Sequence, residues 1–360
     1  MEPTGEAPHY PRMKALSLFL MIISGMVGVV HAQSERGSEI PVERARNAPV
    51  FTLYFENDYF GGKDQHYTNG MKLSWVTGDL TEWGQEGRRR TVVESLPFVN
   101  QPERQKNFGI AFGQNIYTPQ DTDLAIPDPN DRPYAGWSYL EFSFISKTQR
   151  VMDTVSVQLG VVGPSSYAED VQRAVHKWLN DEVPRGWDSQ LKDEPAINVS
   201  YERKWRYFAR TRGDVFGVDV VPHMGATLGN VQTYANAGGM VRLGFNLPSD
   251  FGTDLIRNGG AVSTPVNDRD PRVAPDRRGS FFIFGGVDGR AVARDIFLDG
   301  NTFRDSPSVD KKNLVADAYY GIGVILGTWQ LTYTEAMRTR EFRGQEDKSY
   351  FGSVTLSKAF

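Results

Sequence analysis

The chain has 360 residues, of which 39% are hydrophobic and 12% are aromatic, enough to bury a large apolar surface. Its 40 basic and 44 acidic residues give a formal net charge of -4, which disfavours nucleic-acid binding because such proteins usually carry a basic surface. Cysteine is absent, which excludes disulfides, thiolate metal sites and a cysteine nucleophile. Any catalysis must therefore use hydroxyl, imidazole or carboxylate groups.

The N-terminal segment has the pattern of a secretory signal. Arg12 and Lys14 precede an apolar run at residues 15–30, and a small-residue cleavage motif ends at Ala32. The run is shorter than the roughly 20 apolar residues that cross a bilayer as a helix, so cleavage is favoured over a membrane anchor. We therefore expect a cleaved signal peptide at residues 1–32 and an N-terminal extension at residues 33–49.

Apolar and polar side chains alternate through most of the remaining chain. In the first such segment Phe51, Leu53 and Phe55 fall on one face of a strand, while Thr52 and Glu56 fall on the other. The same two-residue period predicts twelve strands, at residues 50–58, 67–77, 106–114, 136–146, 152–162, 196–206, 214–228, 234–245, 279–294, 313–326, 327–337 and 350–360.

An even number of strands of about ten residues is typical of outer-membrane barrels. Closure of the sheet also removes the exposed edges that a sheet of this size would present. The last residue, Phe360, is similar to the terminal aromatic residue of bacterial outer-membrane proteins. We therefore predict an all-β fold, a twelve-stranded antiparallel transmembrane β-barrel of the outer membrane, at residues 50–360. A soluble β-sandwich or β-propeller is the alternative, although no blade repeat is visible.

The connections between strands alternate between the two ends of such a barrel. With both termini in the periplasm, the third exterior connection contains a helical pattern at residues 166–180, with Val171, Val175 and Trp178 on one face. We expect Trp178 to pack this short helix in the third extracellular loop against the barrel wall. Two periplasmic connections, residues 78–105 and 246–278, are longer than barrel turns usually are.

Three histidines remain after removal of the signal peptide, and they limit where an imidazole base can lie. His223 falls within a predicted strand and is interpreted as structural, whereas His66 and His176 lie in or beside exterior connections. His176 follows Gln172 by four positions, so both side chains lie on the same side of the predicted helix.

A second group of polar residues lies at the exterior ends of the first two strands. Glu56, Asn57 and Asp58 end the first strand, and residues 67–70 (YTNG) open the second, so antiparallel pairing puts them side by side at one rim. Carboxylate, amide and hydroxyl oxygens of this kind suit calcium better than a transition metal. Ordinary turn chemistry favours the same residue types at these positions and is the alternative interpretation.

Taken together, the motifs of the chain resemble those of the outer-membrane lipid A 3-O-deacylase family. The ordered set is specific and spans about 150 residues. It consists of residues 55–60 (FENDYF), 64–70 (DQHYTNG), 131–137 (DRPYAGW), Gly163-Pro164, Val171-Gln172, His176, residues 186–195 (GWDSQLKDEP) and Tyr201-Glu202-Arg203. The resemblance implies a twelve-stranded barrel that removes the 3-position acyl (acyloxyacyl) chain from lipid A in the outer leaflet in a calcium-dependent reaction.

The resemblance also implies which residues act. His176, oriented by Glu182, would take a proton from a water molecule that attacks the ester carbonyl. Calcium would be bound by Asp58 and Glu182, with Asn57 and Thr68 placing the substrate. The expected partners are lipid A or lipopolysaccharide as substrate, the outer-membrane bilayer and the barrel assembly machinery, and the site would face the cell exterior.

Several alternatives remain open at this point. Asp181 lies next to Glu182 and is a second candidate for the acidic partner of His176. An outer-membrane phospholipase with a serine nucleophile would use Ser165 or Ser166 near His176. A non-enzymatic, porin-like barrel would use its exterior loops only to constrict a pore.

Overall fold

The computed structural model describes residues 48–58, 66–81, 104–179, 182–210, 215–260, 264–274 and 279–360. The predicted signal peptide at residues 1–32 and nearly all of the predicted extension at residues 33–49 lie outside this part of the chain. Within it, no helix combines the length and the apolar composition needed to cross a membrane.

Strands account for most of the described residues. They are β1 (Val50–Asn57), β2 (His66–Val76), β3 (Gln105–Thr118), β4 (Ala135–Lys147), β5 (Val151–Val162), β6 (Glu194–Trp205), β7 (Tyr207–Arg210), β8 (Phe216–Gly229), β9 (Gln232–Phe245), β10 (Gly279–Asp295), β11 (Leu314–Leu326), β12 (Trp329–Arg338) and β13 (Ser349–Ala359). The described parts of the connections contain two α-helices, α1 (Ala168–Leu179) and α2 (Ile296–Asp299), and two 3-10 turns, Pro164–Ser166 and Gly186–Ser189.

The sheet closes on itself. β1 pairs antiparallel with both β2 and β13, and β6 pairs with β8, so every strand except the short β7 has a neighbour on both sides around the barrel. β6 and β7 are separated only by Arg206, and both pair with β8 in one continuous register, so together they occupy one position in the wall. The result is a closed twelve-stranded antiparallel β-barrel, which confirms the predicted fold.

The pleat of the strands separates a lipid-facing surface from the lumen. In β1 the side chains of Phe51, Leu53 and Phe55 point outward, whereas Thr52 and Glu56 are fully buried inside. Outward-facing apolar side chains of this kind form the band that contacts lipid in outer-membrane barrels. The face assignment made from the two-residue period is therefore confirmed in β1.

The long connection between β9 and β10 folds into the lumen, and its described residues, 246–260 and 264–274, are called the plug. It bonds to inward-facing side chains of five strands, namely Glu56, Lys72, Lys147, Glu202 and Tyr234. Its Phe251 is completely buried in an apolar cluster with Tyr54 of β1. The sequence indicated that this connection is unusually long, but not that it fills the barrel.

The end of the barrel at which β1 ends and β2 begins is called the α1 rim. The 3-10 turn preceding α1 packs over β3 and β4 there, because the backbone oxygen of Ser166 accepts hydrogen bonds from Gln114 and Ser138. The connection containing α2 covers the same mouth, and its buried Phe297 stacks on Tyr117 at a ring-centroid distance of 4.1 Å. Both ends of the barrel sheet, β1 at Val50 and β13 at Ala359, lie at the opposite rim.

Candidate functional site

Asn57 and Thr68 meet at the α1 rim. The amide nitrogen Nδ2 of Asn57 donates a hydrogen bond of 2.9 Å to the backbone oxygen of Thr68. Thr68 is the extra residue of a β-bulge, because the register of β2 against β3 shifts between Tyr67 and Asn69. Bulges re-aim side chains and are common beside active sites. Here the bulge leaves both Tyr67 and Thr68 buried.

The polar contacts at this rim continue from β1 and β2 to β3. The hydroxyl oxygen Oγ1 of Thr68 lies 2.6 Å from that of Thr118, which ends β3. Asp58 follows β1 directly and is buried, whereas Asn57 is partly exposed. The pair therefore straddles the barrel wall, as the alternation of β1 predicts.

The helix α1 is present close to the predicted bounds, but its packed face coincides only in part with the predicted one. Of the predicted face, Val171 packs against the buried cluster that contains Ala168 and Trp187. Ala168, Gln172 and His176, spaced four residues apart, form its buried stripe. Val175, which was expected on the packed face, is 44% exposed. The side chain of Trp178, expected to pack against the wall, lies outside the described residues. Small side chains decide the packing, because α1 approaches the barrel at Ala168 opposite Gly136.

The imidazole of His176 is oriented by main chain. Its Nδ1 lies 2.6 Å from the backbone oxygen of Glu182. A carbonyl oxygen can only accept, so Nδ1 carries the proton in this contact, and in the neutral ring Nε2 then holds the lone pair. The predicted neighbours are thus brought together through the carbonyl of Glu182, and its side chain is solvent-exposed.

Gln172 adds a hydrogen-bond donor that was absent from the predicted catalytic set. Trp187, which is fully buried and lies 4.9 Å from the ring of Tyr134, donates from Nε1 to Gln172 Oε1 at 2.7 Å. This bond orients the amide, and Gln172 Nε2 is left buried with no hydrogen-bond partner among the described residues. A buried donor without a partner usually requires an explanation. The signals in the sequence were its spacing from His176 and its place in the Val171-Gln172 motif.

The two groups of residues share one end of the barrel. Asn57 and Thr68 belong to β1 and β2, Thr118 ends β3, and α1 packs on β3 and β4. His176 therefore lies at the same mouth of the barrel as Asp58. The two groups of residues are carried by β1 to β4, four consecutive strands of the wall. The region 59–65, which joins β1 to β2, lies outside the described residues.

The oxygen atoms at this rim include several of the types that bind calcium. Calcium prefers six to eight oxygen ligands from carboxylates, carbonyls, hydroxyls and water. The buried carboxylate of Asp58 and the paired hydroxyls of Thr68 and Thr118 are donors of this type. No cluster of three or more His, Asp or Glu side chains with metal-binding geometry occurs in the described part of the chain. The chemistry of the donors fits a hard cation, with main-chain oxygens or water completing the set.

The chain matches the family described as Outer membrane protein LpxR over residues 16–360. It belongs to this family. Its structure is similar to that of LpxR from Salmonella typhimurium, with a TM-score of 0.68 and 18% identity over 86% of this chain and 100% of that chain. The β domain of the Bordetella autotransporter BrkA matches less well, with a TM-score of 0.37 and 10% identity over 87% of this chain and 99% of that chain. No curated protein sequence matches the chain.

Membership of the LpxR family supports an outer-membrane location and, at family level, a lipid A deacylase that acts on lipid A of lipopolysaccharide.

His223 and His66 are the other two histidines that follow the predicted signal peptide. In this LpxR family member His223 is buried in the lumen, with Nε2 2.8 Å from Asp288 Oδ1, as expected of a structural residue. His66 begins β2 at the α1 rim, and its side chain lies outside the described residues.

Proposed function

We propose that the protein is a calcium-dependent lipid A 3-O-deacylase in which His176 activates a water molecule. The observation that carries this proposal is the contact between His176 Nδ1 and the backbone oxygen of Glu182, which puts the lone pair of the neutral ring on Nε2. The Asn57–Asp58–Thr68 group at the same rim supports it. An exterior-facing α1 rim and insertion by the barrel assembly machinery are parts of the proposal.

The reaction is hydrolysis of an ester without a covalent enzyme intermediate. His176 Nε2 takes a proton from water while the water oxygen forms a bond to the ester carbonyl carbon. Gln172 Nε2 donates a hydrogen bond to the oxygen that becomes negative. As the tetrahedral intermediate collapses, the carbon–oxygen bond to the sugar breaks, and the proton returns from His176 to the sugar oxygen. The products are a free fatty acid and lipid A with a 3-hydroxyl group.

Asp58 and Glu182 are the proposed metal ligands. Calcium, when bound, would polarise the ester carbonyl and stabilise negative charge on its oxygen. Asn57, held to the backbone of Thr68, would orient the substrate at the outer edge of the wall. The hydroxyl of Thr68, which contacts the hydroxyl of Thr118, would hold the lumen side of the α1 rim in position.

A lipid substrate approaches such a barrel from the side. Phe55 of β1, Phe112 of β3 and Leu140 of β4 expose apolar surface on the outside of the wall below α1. An acyl chain can lie along these residues while the sugar headgroup stays at the rim. The outward position of Asn57 supports a site that opens toward lipid rather than into the lumen.

A serine nucleophile receives less support. Ser165 Oγ donates to the carboxylate of Asp193 at 2.8 Å, and Ser166 Oγ donates to the backbone oxygen of Gly163 at 2.6 Å. Neither hydroxyl bonds to His176 within the described residues. A serine that is activated by histidine requires such a bond or one that can form readily.

A porin-like function also receives less support. The plug bonds to inward-facing side chains on five strands, and Phe297 packs over the mouth at the α1 rim. A porin keeps a water-filled passage through its barrel.

Mass spectrometry of lipid A from Gram-negative cells that express the protein tests the proposal. We expect the wild type to remove the mass of one 3-linked acyl group, and His176→Ala to lower this conversion by about 100-fold or more. Ser165→Ala and Ser166→Ala serve as controls and should remain active. Unchanged lipid A in cells with folded wild-type protein would refute the deacylase assignment, and inactive serine variants would refute direct attack by water.

A further inference from the structure

The carboxylate of Glu56 joins the plug to the candidate active site. Its Oε1 accepts a hydrogen bond of 2.7 Å from the backbone nitrogen of Ile256 in the plug. Its Oε2 accepts one of 2.9 Å from the hydroxyl of Tyr67 in β2. Glu56 precedes Asn57 in β1, and Tyr67 precedes the bulged Thr68, so the two bonds reach both strands of the site.

The burial of this carboxylate requires an explanation. Glu56 is 0% exposed, and a buried carboxylate is costly unless hydrogen bonds or opposite charges compensate it. The donors of Ile256 and Tyr67 come from two separate elements, and each meets a different oxygen of Glu56. Their relative positions therefore determine where the carboxylate, and with it the end of β1, can lie.

The second donor is itself held rigidly. The ring of Tyr67 packs against Tyr117 at a centroid distance of 5.5 Å and against Phe351 at 5.2 Å. The guanidinium of Arg338 lies 5.8 Å from the centre of the Tyr67 ring. Tyr67 and Thr68 are adjacent in the bulge, so a displacement of Tyr67 would move the Thr68 hydroxyl.

We propose that Glu56 is a positioning residue of the deacylase and that the plug, through Ile256, is part of the support of its active site. This inference rests on the proposed function, because it assumes that Asn57, Asp58 and Thr68 act on the substrate. Glu56 contacts no reacting group. It keeps the ends of β1 and β2 in the arrangement that the reaction needs, and a shift of about 1 Å at such a position can cost about 100-fold in rate.

Glu141 of β4 offers a matched control. It is a buried glutamate in the lumen, it pairs with Lys72 at 2.8 Å, and Lys72 donates to the plug at Gly260. It therefore also links the wall to the plug. Its contacts lie away from Asn57 and Thr68, so its loss should affect stability and not the arrangement of the active site.

The test compares Glu56→Ala, Glu56→Gln and Glu141→Ala in purified full-length protein that cleaves lipid A in mixed micelles. Glu56→Gln keeps an acceptor for Ile256 and can donate to the oxygen of Tyr67. We expect Glu56→Ala to lower kcat by about 10-fold or more and to change KM by less than about 3-fold. Glu56→Gln and Glu141→Ala should keep kcat within about 3-fold of the wild type. Electrophoresis of unheated samples in SDS checks that each barrel is folded.

If the wild type is active, any one of three results would overturn the positioning role of Glu56. They are an unchanged kcat in Glu56→Ala, an equal loss in Glu141→Ala, and a folded Glu56→Gln that fails to restore kcat. If Glu56→Ala does not fold, Tyr67→Phe replaces it, since it removes one of the two bonds, and it should lower kcat by about 3-fold or more. A wild type without activity would overturn the proposed function as well, so the two failures are distinguishable.

Discussion

At the scale of single residues, the proposed chemistry depends on the orientation of two side chains, His176 and Gln172, and each is fixed by a hydrogen bond to a neighbouring residue. The backbone oxygen of Glu182 determines the tautomer of His176, and the indole of Trp187 determines which way the amide of Gln172 points. In both residues the proposed contact with the reacting groups is made by Nε2. The chain obtains this arrangement with one hydrogen bond to the main chain of Glu182 and one from the indole of Trp187.

Replacement of Gln172 by Met tests the donor at this scale. Met has a similar volume and no N–H, so the helix should stay packed while the growing negative charge loses its donor. We expect kcat to fall by about 100-fold with a small change in KM, measured on lipid A in mixed micelles. A folded Gln172→Met variant with the wild-type kcat would show that this amide does not act on the reaction.

The bulged Thr68 yields a second prediction. Thr68→Val keeps the shape of the side chain and removes the hydroxyl that contacts Thr118, whereas Thr68→Ser keeps the hydroxyl. We expect kcat of the Val variant to fall by about 10-fold and that of the Ser variant to stay near the wild type. Equal rates for both variants in the same assay would exclude a role for the hydroxyl.

At the scale of elements, the close approach of α1 to β4 positions the proposed base. A Cβ atom at Gly136 would overlap with the side chains of Ala168 and Ser166, so Gly136→Ala should push α1 away from the barrel. We expect kcat to fall by about 10-fold or more, because His176 moves with the helix. Gly289→Ala in β10 is the control, since its Cβ would meet only Ala237 O at 3.7 Å. If Gly136→Ala retains the kcat of this control, the position of α1 is not critical.

At the scale of the whole molecule, the base of the plug is held by charge. Burial by itself would raise the pKa of Asp250, but the guanidinium groups of Arg242 and Arg272 outweigh it and hold this pKa below its usual range. A depressed pKa stabilises the fold above the pKa of the unfolded carboxyl group, and this contribution is lost as the pH falls toward the folded pKa. Acid should therefore loosen the plug.

Asp250→Asn tests this contribution. It should lower the free energy of unfolding by about 3 kcal/mol at pH 7, because two buried guanidinium groups lose a partner. Urea unfolding in detergent, followed at pH 7 and near pH 3, should show a smaller loss of stability on acidification in the variant than in the wild type. Parallel pH dependence in the two proteins would contradict a role for the Asp250 carboxylate.

The sequence predicted some features of the site closely and missed others for identifiable reasons. Strand alternation put Asn57 outward and Asp58 inward, because the side chains of a strand point alternately to its two faces. The bulge at Thr68 adds one residue without a distinctive local pattern. Val175 was assigned to the packed face of α1 because it is apolar, yet contact with Gly136 selected the face of Ala168 instead. Glu56 was placed in the polar group at the end of the first strand, but nothing in the sequence indicated its contact with the plug.

By itself, the sequence determined the barrel, its strand number and the family, since a two-residue period and short ordered motifs are local properties that survive without knowledge of contacts. Only the tertiary structure decided that the plug enters the lumen, that main chain rather than a carboxylate meets His176 Nδ1, and that Glu56 joins plug and wall. These contacts link residues far apart in the chain, or use backbone atoms common to every residue. No side-chain pattern encodes them, and they arise when the closed sheet forces the buried polar groups of its lumen to find partners.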